Sequence, residues 1–251
     1  MPEFTELIPH EPPILIMSFL IKNKQEDPQR PDRPRDSDAS IEPDENKALK
    51  LINWITDKGI NGLPLLSSAR DLAHEYQIDS SYLSDGERID SLVNWETTKN
   101  FTSGFITGLG GLITLPVAVP ADFGVSWLIQ ARMAAAVARI GGHDIGSDRI
   151  KTFVLACLAG DACKDILKDV GIRVGNGIAR SAIKKIPGQV LIEINKKVGF
   201  RLLTKVGEKG AVNLMKMVPV AGGLVCGTFD AAACRVVGKQ AKKIFYSGEM
   251  K

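Results

Sequence analysis

An arginine inside an apolar helix needs a partner. Arg132 lies in the run WLIQARMAAAVARI, among Leu128, Ile129, Met133 and Ala134, where a helix offers almost no polar face to a guanidinium. An unpaired buried charge costs several kcal/mol or more, so a carboxylate should meet it. Asp122, Asp144, Asp161 and Asp230 are the candidate partners. Such a pair is more often architectural, fixing helix register, but it can also form an acid/base or anion-binding site at the mouth of a bundle. Hydrolase or transferase chemistry would therefore draw on Asp122, Arg132, Asp144 and Asp230, although Asp122 also reads as the N-terminal cap of the helix that follows it. His143 and Asp144 come directly after Gly141 and Gly142. An imidazole beside a carboxylate can be a tuned base, yet no Ser or Cys stands in a nucleophile motif such as GxSxG, and a glycine C-cap explains the same residues. No residue is assigned as catalytic.

A second pattern is cationic. Lys197, Arg201, Lys205 and Lys209 recur every four residues beside an apolar ridge of Ile194, Val198, Leu202 and Val206 at the same step. Adjacent apolar and cationic rows suit an interfacial helix, with stems along lipid and charged heads at phosphates. Each such cation near an anionic leaflet contributes about 1 kcal/mol, so a handful would hold a protein reversibly on a membrane. The plain alternative is a solvated face on a core helix. Residues 151–251 carry 18 Lys and Arg against 7 Asp and Glu, a net +11, while residues 1–150 carry 14 against 22, a net −8. The overall +3 conceals that dipole. Nucleic acid is not the expected partner, because the basic part lacks interleaved aromatics and an RNP-like signature. Cys157, Cys163, Cys226 and Cys234 form no CxxC pair, and only three histidines exist, so neither a metal nor a cofactor is expected. Glu3 and Glu6 stand where a signal peptide has Lys or Arg, and the apolar run at 14–21 is too short to span a bilayer. The expected location is cytoplasmic, peripheral at the inner membrane face.

Helices must position these residues. Residues 1–46 read as an N-terminal extension and disordered linker, since 22–46 hold four prolines, mixed charges and almost no large apolar residue. Residues 47–251 read as one helical domain. Leu49, Ile52 and Ile55 mark a first helix that should stop at Gly59 and the Gly62–Leu63–Pro64 break. A second should run from Ser67 or Ser68 to Tyr76. Ser84 and Glu87 have the form of a capping box opening a helix with Ile89, Leu92, Val93 and Trp95. No charge occurs between Lys99 and Asp122. That stretch, 101–121, is long enough to span a bilayer, and Gly104 and Gly108, with Gly111 beyond, have the spacing that lets helices approach closely in lipid. Pro116 and Pro120 break it, which favours a buried hairpin in a bundle. Residues 217–229 repeat the pattern with Gly223 and Gly227. Helices resume around Arg132 and again from Ser147, where Ile150, Phe153, Val154, Cys157 and Leu158 make a core-facing stripe. Breaks are expected at 171–177, 187–188, 207–210 and 219–223, with a terminal helix from Leu224 to about Tyr246. No alternating strand pattern follows residue 47, so the fold class is all-α, a compact multi-helix bundle with Gly-rich apolar hairpin segments.

Several of these motifs occur in an order that resembles the EcsC family: TGLGGLITLP at 107–116, Asp122, QARM at 130–133, GGHD at 141–144, LAGD at 158–161, and PVAGG at 219–223 with Asp230. The resemblance covers about 47–245. His143 stands where family members often have Tyr, and Ala233–Cys234 where they often have a Thr. The family is named for a protein encoded beside an ABC transporter, which implies work at the cytoplasmic membrane face in transport or secretion; the leading expectation is a non-enzymatic protein acting there with a transporter, secretion or lipid partner. An anionic membrane surface or a membrane protein is the expected partner. The alternative is an effector whose two Gly-rich segments insert into membranes.

Overall fold

Apolar residues at three- and four-residue steps form helices and, among the described residues, no β-strand. The computed structural model describes residues 45–62, 66–108, 121–174, 178, 180–210, 219–246 and 248, with side chains for all of these except 45–47, 100–108, 121–123, 180, 206–210 and 219–227. In chain order the helices are α1 (Glu45–Asn61), α2 (Ala69–Ile78), α3 (Asp85–Gly108), α4 (Ala121–Ile140), α5 (Asp148–Leu158), a 3-10 turn at Gly160–Ala162, α6 (Cys163–Asp169), α7 (Arg180–Lys184), α8 (Gly188–Gly210) and α9 (Pro219–Phe245). The expected disordered linker lies outside the described residues up to position 44.

Helix α4 is the axis of the bundle. Trp127, Leu128, Ile129 and every residue from Ala131 to Ala138 are buried, so it is enclosed on all sides, with α1, α2, α3, α5 and α9 packed around it. Its alanines permit close approach. A Cβ placed on Gly59 would sit 2.8 Å from the Ala131 Cβ. Gly59 therefore does not end α1, as its type suggests, but lies inside it at the contact with α4. The helix stops at Gly62, whose φ of 88° only glycine adopts freely.

Helices α3 and α9 form a long antiparallel pair. Lys242 meets Asp90 at 2.6 Å and Arg235 donates to Asn94 at 3.4 Å, while a Cβ on Gly238 would fall 2.5 Å from Val93. Two sequence expectations change here. Helix α3 continues through the change of composition at Phe101 to Gly108, and α9 starts at Pro219 rather than Leu224. A proline at the first helical position lacks only an N–H that would be unsatisfied anyway, so it starts this helix instead of ending a loop.

Local signals set several other boundaries. Ser68 caps α2 in a reciprocal box with Asp71. Ser84 Oγ accepts from the Glu87 N–H at 3.2 Å, but the Glu87 carboxylate accepts from Leu83 rather than Ser84, at 2.8 Å. Ser147 occupies the N-cap position of α5 without a side-chain bond. At the end of α4 the His143 N–H reaches the Ala138 carbonyl and the Gly142 N–H that of Arg139, each at 2.9 Å, closing the helix on a left-handed Gly142.

Candidate functional site

The partner of Arg132 is Glu96. Arg132 Nη2 donates to Glu96 Oε1 at 2.9 Å, and Nη1 donates to the Ser67 carbonyl and Oγ at 3.1 and 2.7 Å. Both charged side chains are fully buried. Lys99 Nζ lies 3.4 Å from the same Glu96 oxygen and 5.8 Å above the Trp95 ring. The cluster ties α3 to α4 and to the turn before α2. Of the aspartates first considered, Asp144 is exposed, its Oδ1 accepting from Gly146 at 3.0 Å, and Asp161 is exposed. Asp230 lies partly buried in α9, and the Asp122 side chain is outside the described residues. Among the described residues, the carboxylate that Arg132 meets is that of Glu96, inside the bundle.

This pair is incompletely satisfied. Glu96 Oε2 and Arg132 Nε have no hydrogen-bond partner among the described residues. Burial first, and the Glu96 charge second, push the Tyr76 phenol well above its ordinary range, so it stays protonated at neutral pH. His143 is buried, with Nε2 donating to the Phe245 carbonyl at 3.1 Å and its ring edge-on to Phe245. It fastens the end of α4 to the end of α9. The imidazole and the neighbouring Asp144 carboxylate thus point to different partners.

The cationic helix is α8, and it is rotated relative to the simplest reading of its sequence. Ile194, Val198 and Leu202 are fully buried against the bundle, so these three residues of the apolar ridge are core and unavailable to lipid, while the Val206 side chain lies outside the described residues. Lys197 sits 3.0 Å from Asp169 on α6 and 3.9 Å from Glu193. Lys205 turns inward, its Nζ donating to the Leu158 and Ala159 carbonyls at 3.4 and 3.3 Å, where a cation complements the C-terminal end of α5. Arg201 is exposed, and the Lys209 side chain lies outside the described residues. The outward face instead carries Ile192 and Phe200, 56% and 54% exposed, with Lys196 between them. Their spacing of eight residues, two helical turns, is the signal in the sequence that would have identified this face.

Beside that face runs a groove of about 500 Å³. Ala48 and Leu49 of α1, Ala162 and Ile166 around the start of α6, and Phe200 supply its apolar lining, and Asp169, Lys196, Lys197 and Arg201 its polar lining. Gly199 lies where α8 meets α1: a Cβ there would lie 2.9 Å from Ile52 and 3.0 Å from Ala48. Glycine lets α8 seat against α1 at that point.

The chain matches no family model, no curated protein and no solved structure.

Of the glycines singled out, Gly104 and Gly108 lie in α3 and Gly223 and Gly227 in α9, while Gly111 is outside the described residues. Continuing the 90/242 and 94/235 register without a bend places the first pair level with the second, because antiparallel helices advance and retreat by the same rise. Among the described residues, no helix is long and apolar enough to cross a membrane, and no cluster of His, Cys, Asp and Glu is placed to hold a metal. Cys157, Cys163 and Cys234 are buried.

Proposed function

We propose that this protein associates reversibly with the cytoplasmic face of a membrane, in a non-enzymatic role beside a lipid or membrane-protein partner. The observation that carries the reading is the outward face of α8, where exposed Ile192 and Phe200 flank Lys196 and adjoin Arg201. Large apolar side chains with interleaved cations suit a bilayer interface, where rings enter the headgroup layer and charges meet phosphates. The +11 balance of residues 151–251 supports the same partner. So does the resemblance to the EcsC family, through its association with transport.

Co-sedimentation with vesicles tests it. Binding is expected to phosphatidylglycerol-containing vesicles and not to pure phosphatidylcholine, and to weaken with salt. Replacing Lys196 and Arg201 by Glu should weaken binding about 30-fold or more, from about 1 kcal/mol per cation lost at the surface. Phe200→Ser should weaken it without altering the salt slope. Unchanged binding in the double charge variant would remove the reading.

The level placement of the two Gly-x-x-x-Gly stretches favours a second reading, insertion of the α3–α9 ends into lipid by an effector. Leakage of dye from anionic vesicles distinguishes it, since surface association alone releases none.

A further inference from the structure

The groove beside the exposed face is apolar where it meets the start of the described bundle. Ala48 and Leu49 of α1, with Ala162, Ile166 and Phe200, line about 500 Å³, the size of a specific binding site. Leu49 and Ala162 are half-buried and Phe200 is 54% exposed, so this lining is open to an occupant. Residues 1–44 lie outside the described residues, and the chain enters the bundle at Glu45, one helical turn before Ala48 and Leu49.

One run in that preceding chain is strongly apolar. ILIMSFLI at 14–21 is interrupted only by Ser18, so any backbone conformation gives it an apolar face. No other stretch before Glu45 has even three large apolar residues in succession. Left in water, such a run forgoes the free energy of burial. Residues 22–44 can reach up to about 80 Å when extended, so the tether does not limit access to a groove whose edge lies one turn into α1. Tethering through a linker sets an effective concentration on the order of millimolar, which an untethered peptide or lipid would have to match.

We propose that residues 14–21 occupy this groove, with their apolar side chains against Leu49, Ile166 and Phe200. The docking stands on the groove and on the sequence alone. Its consequence rests on the membrane-surface reading: Phe200 belongs both to the groove and to the exposed face, so the run and a bilayer compete for it.

Photo-crosslinking in the full chain tests the docking, with benzoylphenylalanine in place of Phe19. Mass spectrometry should find intramolecular crosslinks to the peptides that carry Leu49, Ile166 and Phe200, at a yield independent of protein concentration. The same group in place of Phe4, outside the run, should give few of them. Ala162→Trp, which narrows the groove, should lower the yield several-fold. Leu15→Ser with Leu20→Ser, which leaves the described bundle untouched, should lower it about ten-fold or more through two lost apolar contacts. Crosslinks elsewhere, equal labelling from position 4, or undiminished yield in both variants would overturn the docking. Crosslinks between chains would overturn it too, assigning the groove to a second copy. Co-sedimentation with phosphatidylglycerol-containing vesicles keeps the two readings apart. The double serine variant should bind several-fold more tightly than the parent, and unchanged or weaker binding would overturn the competition. Groove crosslinks without vesicle binding by either protein would refute the membrane-surface reading and leave the docking standing, whereas vesicle binding without groove crosslinks would do the reverse.

Discussion

A fully buried guanidinium depends on the carboxylate beside it. Removing only Arg132, as in Arg132→Met, leaves Glu96 charged in the core and should destabilise the protein by about 3–5 kcal/mol. Pairing it with Glu96→Leu removes both charges and should recover most of that loss, measured by urea unfolding of the single and double variants. If the double variant is no more stable than Arg132→Met, the two residues do not form the proposed unit. The cysteines give a second residue-scale expectation. Burial, with Cys163 beside it, raises the Cys157 thiol well above its ordinary value, so the reactive thiolate stays scarce even as pH rises through the range where a free cysteine ionises. Iodoacetamide should therefore label Cys157 in the folded protein no faster at mildly alkaline than at neutral pH, and rapidly once urea unfolds it. Mass spectrometry reads both. The need of Arg132 for a carboxylate was legible in the sequence, but its source was sought among aspartates. Glu96 extends the Ile89, Leu92 and Val93 stripe by one more step, and a Glu at a position that periodicity assigns to the core was the overlooked sign.

At the scale of elements, periodicity located most helices because their burial follows the same three- and four-residue steps. It misjudged glycines, whose type signals a break only when the backbone turns there. Gly59 and Gly199 sit within helices at close approaches, whereas Gly62 and Gly142 have the left-handed φ that ends one. Sequence alone carries no information on what lies opposite a glycine. Gly238 makes the point testable. Alanine there gains about 1 kcal/mol of helix propensity, but its methyl meets Val93, and overpacking of this kind typically costs about 1–3 kcal/mol. A net loss of stability is expected for Gly238→Ala, and part of it should return when Val93→Ala makes room. Thermal unfolding of the two single variants and the double checks this, and additive effects would mean that α3 and α9 do not meet at these positions. Helix α8 shows a similar limit. Its four-residue period was legible, but a row of cations does not declare that Lys205 will turn towards the end of α5 while Lys196 faces outward.

At the scale of the whole molecule, charge is distributed along the chain in a way that bears on any encounter with an anionic surface. Residues 1–44 hold 10 Asp and Glu against 5 Lys and Arg, a net −5, so the remaining residues carry +8 out of the total of +3. Those acidic residues oppose attraction of the basic part to anionic lipid wherever they come within a Debye length of the surface, about 8 Å at physiological salt. Deleting residues 1–44 should therefore raise affinity for phosphatidylglycerol-containing vesicles several-fold, up to about ten-fold, and steepen its dependence on salt. The gain should disappear at high salt, where screening removes the repulsion along with the attraction. Unchanged helical circular dichroism would establish that the fold from Glu45 onward survives the deletion. A fall in affinity would carry the opposite meaning: the apolar run at 14–21 would then supply the membrane contact, and the basic part could not be its main source.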